Sequence, residues 1–118
     1  MERDDRQFLL MTAWLFAKHG QADRARALCE ALVEADPRDG IAAAVLAELL
    51  LADRNPSRAL AVIRAAVCPK SLSRAAAVLE TRALIALGRR EDGARRWKRY
   101  IESAKSGRRA WAGNGVGK

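Results

Sequence analysis

The 118 residues hold one histidine, one tyrosine, two phenylalanines, two cysteines and three prolines, and aromatic side chains make up only 5% of the chain. Each scarcity removes a class of function or fold. With a single His19, no glycine-rich phosphate loop and no Ser-His-Asp set, the chain has no constellation for acid-base, nucleophilic or phosphoryl-transfer chemistry, so no enzyme activity is expected. Cys29 and Cys68 form no disulfide framework, and together with His19 they lack metal-ligand spacing, so no metal or cofactor is expected. Both cysteines fall on apolar stripes of predicted helices and are expected as buried, reduced thiols. Segments of Val, Ile and Thr in period-two alternation, which strands need, are missing, so no sheet is expected.

Long apolar runs are missing too. None reaches the roughly 18 residues that cross a bilayer, since Glu48 interrupts the stretch from Ile41 to Ala52. Phe8 to Ala17 has the length of a signal-peptide core, but Glu2, Asp4 and Asp5 precede it where positive charge is needed, and no small-x-small cleavage site follows. It reads as a helix of the mature protein, and the expected location is the cytoplasm.

What the chain does have is alanine, a hydrophobic content of 50% and a charged content of 31%, the balance of a single globular domain of closely packed helices. It also repeats. A shift of 34 residues stacks Gly20 on Arg54 and Gly88, Ala25 on Ala59 and Gly93, and Ala13 on Ala47 and Thr81. The same shift aligns Phe16, Leu50 and Leu84, then Cys29, Ile63 and Trp97, then Val33, Val67 and Ile101, which are the expected core columns. Two antiparallel helices cross where small side chains let their backbones approach, with Ala13 against Ala25 the first such contact. This pattern, with Pro37 near the end of its first copy, resembles the tetratricopeptide repeat, and a non-repeating six-helix bundle is the other architecture considered.

The boundary signals predict helices over 5–18, 21–35, 40–53, 56–67, 72–87 and 90–105. Gly20 and Gly88 end the first and fifth helices, and Asn55 with Pro56 caps and opens the fourth. Asp36, Pro37, Asp39 and Gly40 turn the chain between hairpins, and Ser71 and Ser73 offer caps for the fifth helix. The predicted fold is all-α, three hairpins stacked as a short right-handed solenoid over residues 1–106, with repeats at about 6–39, 40–73 and 74–107 and a flexible, basic, glycine-rich tail over 107–118.

In such a stack the first helix of each hairpin lines a concave wall. The register puts Gln7, Leu10, Trp14 and Ala17 there, then Ile41, Ala44, Glu48 and Leu51, then Ala75, Val78, Arg82 and Ile85. That wall is mostly apolar, so a partner protein's helix or extended segment is expected to lie in it, with Trp14 as anchor; the alternative is that these residues face the core of a tightly curled unit. Charge is uneven as well: residues 89–118 hold 10 of the 22 basic residues but only 3 of the 14 acidic ones. Arg95, Arg96, Lys98 and Arg99 read as a solvated basic cap on the last helix; an acidic protein or lipid surface is the other reading, and no nucleic acid is expected, because Trp97 and Tyr100 fall in core columns.

The stretch QFLLMTAWLFAKHGQADRARALCEALVEADP, Gln7 to Pro37, resembles the opening of the small YscY-type chaperones of bacterial type III secretion systems, and GARRWKRYIE, 93–102, extends the likeness more loosely to about residues 6–104. Its strongest points are Phe8-Leu9-Leu10, Trp14-Leu15, Gly20, Ala25, Ala31-Leu32 and Pro37. The resemblance implies a cytoplasmic chaperone that pairs with a small secreted injectisome subunit of YscX type and brings it to the export-gate protein at the inner membrane. A heterodimer is the expected assembly; independently of the resemblance, a three-hairpin solenoid without a capping helix exposes apolar surface at its ends, so marginal stability or self-association is expected when no partner is bound. A chaperone of the needle subunit and a repeat scaffold unrelated to secretion are the other functions considered. Arg54 stands where the repeat usually has glycine, and Ser71 where it usually has proline.

Overall fold

The computed structural model describes residues 3–111, with the side chains of residues 6–107. Six helices follow one another: α1 (Arg3–Lys18), α2 (Ala22–Ala35), α3 (Gly40–Ala52), α4 (Pro56–Ala65), α5 (Ser73–Ala86) and α6 (Arg90–Trp111), with a short 3-10 turn at Lys70–Leu72 before α5. The chain is all-α, and no strand occurs among the described residues. Each helix packs on the next in chain order, and α3 also touches α5, so the three hairpins lie side by side with α1 and α6 at the two ends.

The turns inside the hairpins share one construction. Gly20 and Gly88 take left-handed φ values of 76° and 81°, and Arg54 joins them at 59°. In each, the left-handed residue donates its N–H back to Ala17, Leu51 or Ile85, and the following N–H reaches the carbonyl of Phe16, Leu50 or Leu84 at 2.8 Å. These are three Schellman turns, and they close on the same core column. Between the first two hairpins, the Asp39 side chain accepts the Ala42 N–H at 2.9 Å to cap α3, and inside the second hairpin Asn55 accepts the Arg58 N–H ahead of Pro56.

The small-residue columns are where helices cross. Ala13, Ala25 and Ala47 are fully buried and Ala59 is 1% exposed. Gly93 is buried so tightly that an added Cβ would lie 3.2 Å from Ile85 Cγ1 and 3.4 Å from the Thr81 carbonyl oxygen. Leu32, Leu46, Leu50 and Leu84 fill the space beside the crossings, and Cys29 sits among them with its thiol pushed up to about 11 by burial and by the charge of Glu30.

Five expectations are corrected. α4 stops at Ala65 rather than 67: Ala66 already has ψ 155°, and the next N–H turns to the Arg38 carbonyl instead of continuing the helix. Val67 therefore leaves its core column, is 58% exposed, and donates its N–H to the Arg38 carbonyl at 2.9 Å. Cys68 is consequently in a linker and only half-buried, while Cys29 is buried on α2 as expected. Neither Ser71 nor Ser73 caps α5, whose N-cap position is Leu72; the Ser73 hydroxyl instead donates to the Lys70 carbonyl. At the other end α6 continues to Trp111, because the single Gly107 costs a helix only about 1 kcal/mol and its neighbours are good helix formers. The expected tail at 107–118 thus begins inside a helix, and 112–118 lie outside the described residues.

Ion pairs tie the hairpins together. Arg6 of α1 reaches both the Asp39 carboxylate and the Leu32 carbonyl. Burial pushes the Asp39 carboxyl up, but the Ala42 N–H and Arg6 outweigh it and hold the group below its usual range. Glu80 of α5 accepts Arg64 Nε from α4 at 3.1 Å and Arg96 Nε from α6 at 2.9 Å, and these bonds likewise overcome the effect of its burial.

Candidate partner-binding groove

The first helices of the three hairpins present their side chains to a common groove of about 750 Å³. Trp14, Ala17 and Lys18 line it from α1; Ala44, Val45, Glu48 and Leu49 from α3; Ser71 from the 3-10 turn; and Arg74, Ala75, Val78 and Leu79 from α5. α1, α3 and α5 come together this way because the small-residue crossings hold α2 and α4 behind them.

Trp14 dominates the α1 side. It is 52% exposed, and the Lys18 ammonium one turn later lies 4.6 Å from its ring centroid. Both side chains line the groove, and the cation–π contact favours that orientation of the indole. Opposite, Glu48 is bonded by Arg82 at 3.0 and 3.1 Å, a pair one repeat apart in sequence. Glu48 is thereby neutralised. Among the described residues neither Lys18 nor Arg74 pairs with a carboxylate, so the uncompensated charge at the groove is positive.

Of the wall positions read from the repeat, the structure brings Trp14, Ala17, Ala44, Glu48, Ala75 and Val78 into the groove, and Arg82 reaches it through Glu48. Leu10 is half-buried outside the lining, and Leu51 packs inward against both core clusters. Gln7, Ile41 and Ile85 are exposed beyond the groove's edge. Sequence reasoning missed Lys18, Val45, Leu49, Ser71, Arg74 and Leu79. Five of these lie one or four helix positions from a predicted wall residue, so a stripe broadened by one residue would have captured them; Ser71, in a turn, carries no periodic signal.

Part of the basic end is engaged with nearby acids. Arg89 and Arg95 both hold Asp92, whose carboxyl these bonds lower, and Arg96 holds Glu80. The rings of Trp97 and Tyr100 lie 5.2 Å apart, tilted by 33° and half-buried against the hairpin. Among the described residues no group of three His, Cys, Asp or Glu side chains is placed to hold a metal ion, and no helix is long and apolar enough to cross a membrane. No family model, curated protein or solved structure matches the chain.

Proposed function

We propose that this chain is a cytoplasmic chaperone of a bacterial type III secretion system, of YscY type, which holds a small secreted subunit of YscX type in its groove and hands it to the export gate. The groove carries the reading. It is lined mainly by apolar side chains and has a half-exposed tryptophan at one side, the character of a groove that takes an amphipathic helix or extended segment. The unpaired Lys18 and Arg74 favour an occupant whose flank is acidic, which would bind more weakly as salt rises. The sequence likeness over Gln7 to Pro37 supplies the identity of the partner.

Co-expression with a small secreted subunit from the same apparatus, followed by co-purification, tests this. Trp14→Glu and Val78→Glu are expected to abolish the complex while the helical circular dichroism stays unchanged. Leu51→Glu is not a usable probe, since that side chain sits in the core. Co-purification that survives both groove variants sinks the assignment of the groove, and capture of a needle subunit instead would redirect the function within the same machine.

A further inference from the structure

The last hairpin departs from the repeat along one stripe of α6. Arg96, Arg99, Tyr100 and Ser103 follow one another at helical spacing, on one side of the helix. The same positions of α2 hold Leu28, Ala31, Leu32 and Ala35, and those of α4 hold Val62 and Ala65, none of which carries a side-chain donor. The four polar side chains line a cleft of about 420 Å³, closed on its other side by Ser73 and Glu80 of α5 and by Cys68 of the linker before it. This cleft lies across α5 from the groove, which takes Arg74, Ala75 and Val78 from the other face of that helix.

The charge in the cleft is unbalanced. Glu80 is the one acid in its lining, and that carboxylate already accepts Arg96 Nε at 2.9 Å and Arg64 Nε at 3.1 Å. Arg99 makes no ion pair among the described residues. The Tyr100 and Ser103 hydroxyls make no hydrogen bond among them either. Three guanidinium groups, of Arg64, Arg96 and Arg99, against the single Glu80 carboxylate leave two positive charges.

We infer that this cleft binds the phosphate group of a small soluble phosphomonoester, with Arg99 as its charged anchor and the Tyr100 and Ser103 hydroxyls as further donors. A phosphomonoester carries about −1.5 to −2 charge at neutral pH and three strong acceptor oxygens, which matches the two uncompensated charges and the three free donor groups. A carboxylate brings a single charge and two oxygens, so it would leave both a charge and a donor unused. The volume beyond the phosphate holds the group that bears it. A lipid is disfavoured as the bearer, since α6 exposes no large hydrophobic side chain among its described residues to meet an acyl chain.

Isothermal titration of the whole chain with glycerol 3-phosphate tests the site, with inorganic phosphate and acetate as comparisons. Saturable binding of both phosphates is expected, with a dissociation constant on the order of 1 mM or lower and acetate at least about tenfold weaker. Arg99→Gln is expected to weaken phosphate binding at least about tenfold, and Tyr100→Phe and Ser103→Ala about threefold each, with the helical circular dichroism unchanged. Lys98→Gln, on the far side of α6, and Val78→Glu, in the groove, leave the binding as it was. Alkylation by iodoacetamide locates the ligand: bound glycerol 3-phosphate slows the modification of Cys68, read from its peptide mass, and fails to do so in Arg99→Gln. No saturable binding, acetate bound as well as phosphate, an equal loss in Lys98→Gln, or unprotected Cys68 would overturn the inference. So would a chain that ignores glycerol 3-phosphate but is held through Arg99 by vesicles of phosphatidic acid in phosphatidylcholine, which would place the phosphate on a lipid.

Discussion

The first and last helices end the same stack in opposite ways. α1 carries four of the eight exposed large hydrophobic residues found among the described residues, Phe8, Met11, Trp14 and Leu15, whereas α6 carries none. On α6 the apolar side chains Trp97, Tyr100 and Ile101 are half-buried, and Arg95, Lys98 and Arg99 take the exposed face. A repeat imposes one apolar stripe on every copy, whether or not a neighbour exists to cover it. A polar outer face must therefore be written into the sequence as a departure from the repeat, and α6 shows that departure where α1 does not.

This difference has a thermodynamic side, and the core column Phe16, Leu50 and Leu84 measures it. Leu50 and Leu84 are each 1% exposed, while Phe16, beside the uncovered end, is only half-buried. Leu50→Ala is expected to cost about 3.5 kcal/mol, the middle of the range for a buried leucine. Phe16→Ala, although it removes more carbon, should cost less, because water already reaches its site. Urea unfolding of the two variants, at concentrations where the chain is monomeric, decides it; an equal or larger loss for Phe16→Ala would mean that the first hairpin is as well packed as the second.

The C-terminal end relies on charge where the N-terminal end relies on burial. Glu80, with its side chain 13% exposed, joins α4 to α6 through Arg64 and Arg96. Replacing it by glutamine removes the charge and leaves one acceptor oxygen for two guanidinium groups, and is expected to cost about 2 kcal/mol at neutral pH. The pH dependence has a definite sign. Burial alone would raise the Glu80 carboxyl, but the two arginines hold it below its ordinary 4.5, so the folded state binds the proton less readily than the unfolded state. The stabilisation is complete above that value and is lost as pH falls through the lower folded one. Asp39, held below 3.8 in the same direction by Ala42 and Arg6, extends the decline to more acid pH. Unfolding midpoints between pH 7 and pH 3 should fall less steeply for Glu80→Gln than for the parent; parallel slopes would remove Glu80 from the account.

Much of this was legible in the sequence because it is periodic. The 34-residue shift located the crossings at Ala13, Ala25, Ala47 and Ala59, the left-handed turns at Gly20 and Gly88, and half of the groove, since each is a property of one position repeated. What resisted reading arises from contacts between distant parts of the chain. An added Cβ on Gly40 would lie 2.7 Å from the Cys68 backbone, so this glycine is required by a linker 28 positions away that no local pattern reveals. The same linker draws Val67 out of its column to bond Arg38, although by spacing alone Val67 is equivalent to Val33. The inward turn of Leu51 has the same origin: two core clusters claim it.

The turn column offers the smallest and cleanest test, because it compares the outer hairpins with the middle one at a single backbone position. Gly20, Arg54 and Gly88 adopt nearly the same φ, and an added Cβ at either glycine would meet nothing within 4 Å. The difference between the hairpins at this point is therefore the intrinsic cost of left-handed backbone for a residue with a side chain, about 1 kcal/mol. Arg54→Gly should stabilise the protein by somewhat less than that, since glycine also loosens the unfolded chain. Gly20→Ala and Gly88→Ala should each destabilise it by a similar amount. Thermal melts of the three variants would show one midpoint rising and two falling by a few degrees. Were Arg54→Gly to lower the midpoint, the arginine would be holding the second turn through its side chain, and the three turns would no longer be equivalent.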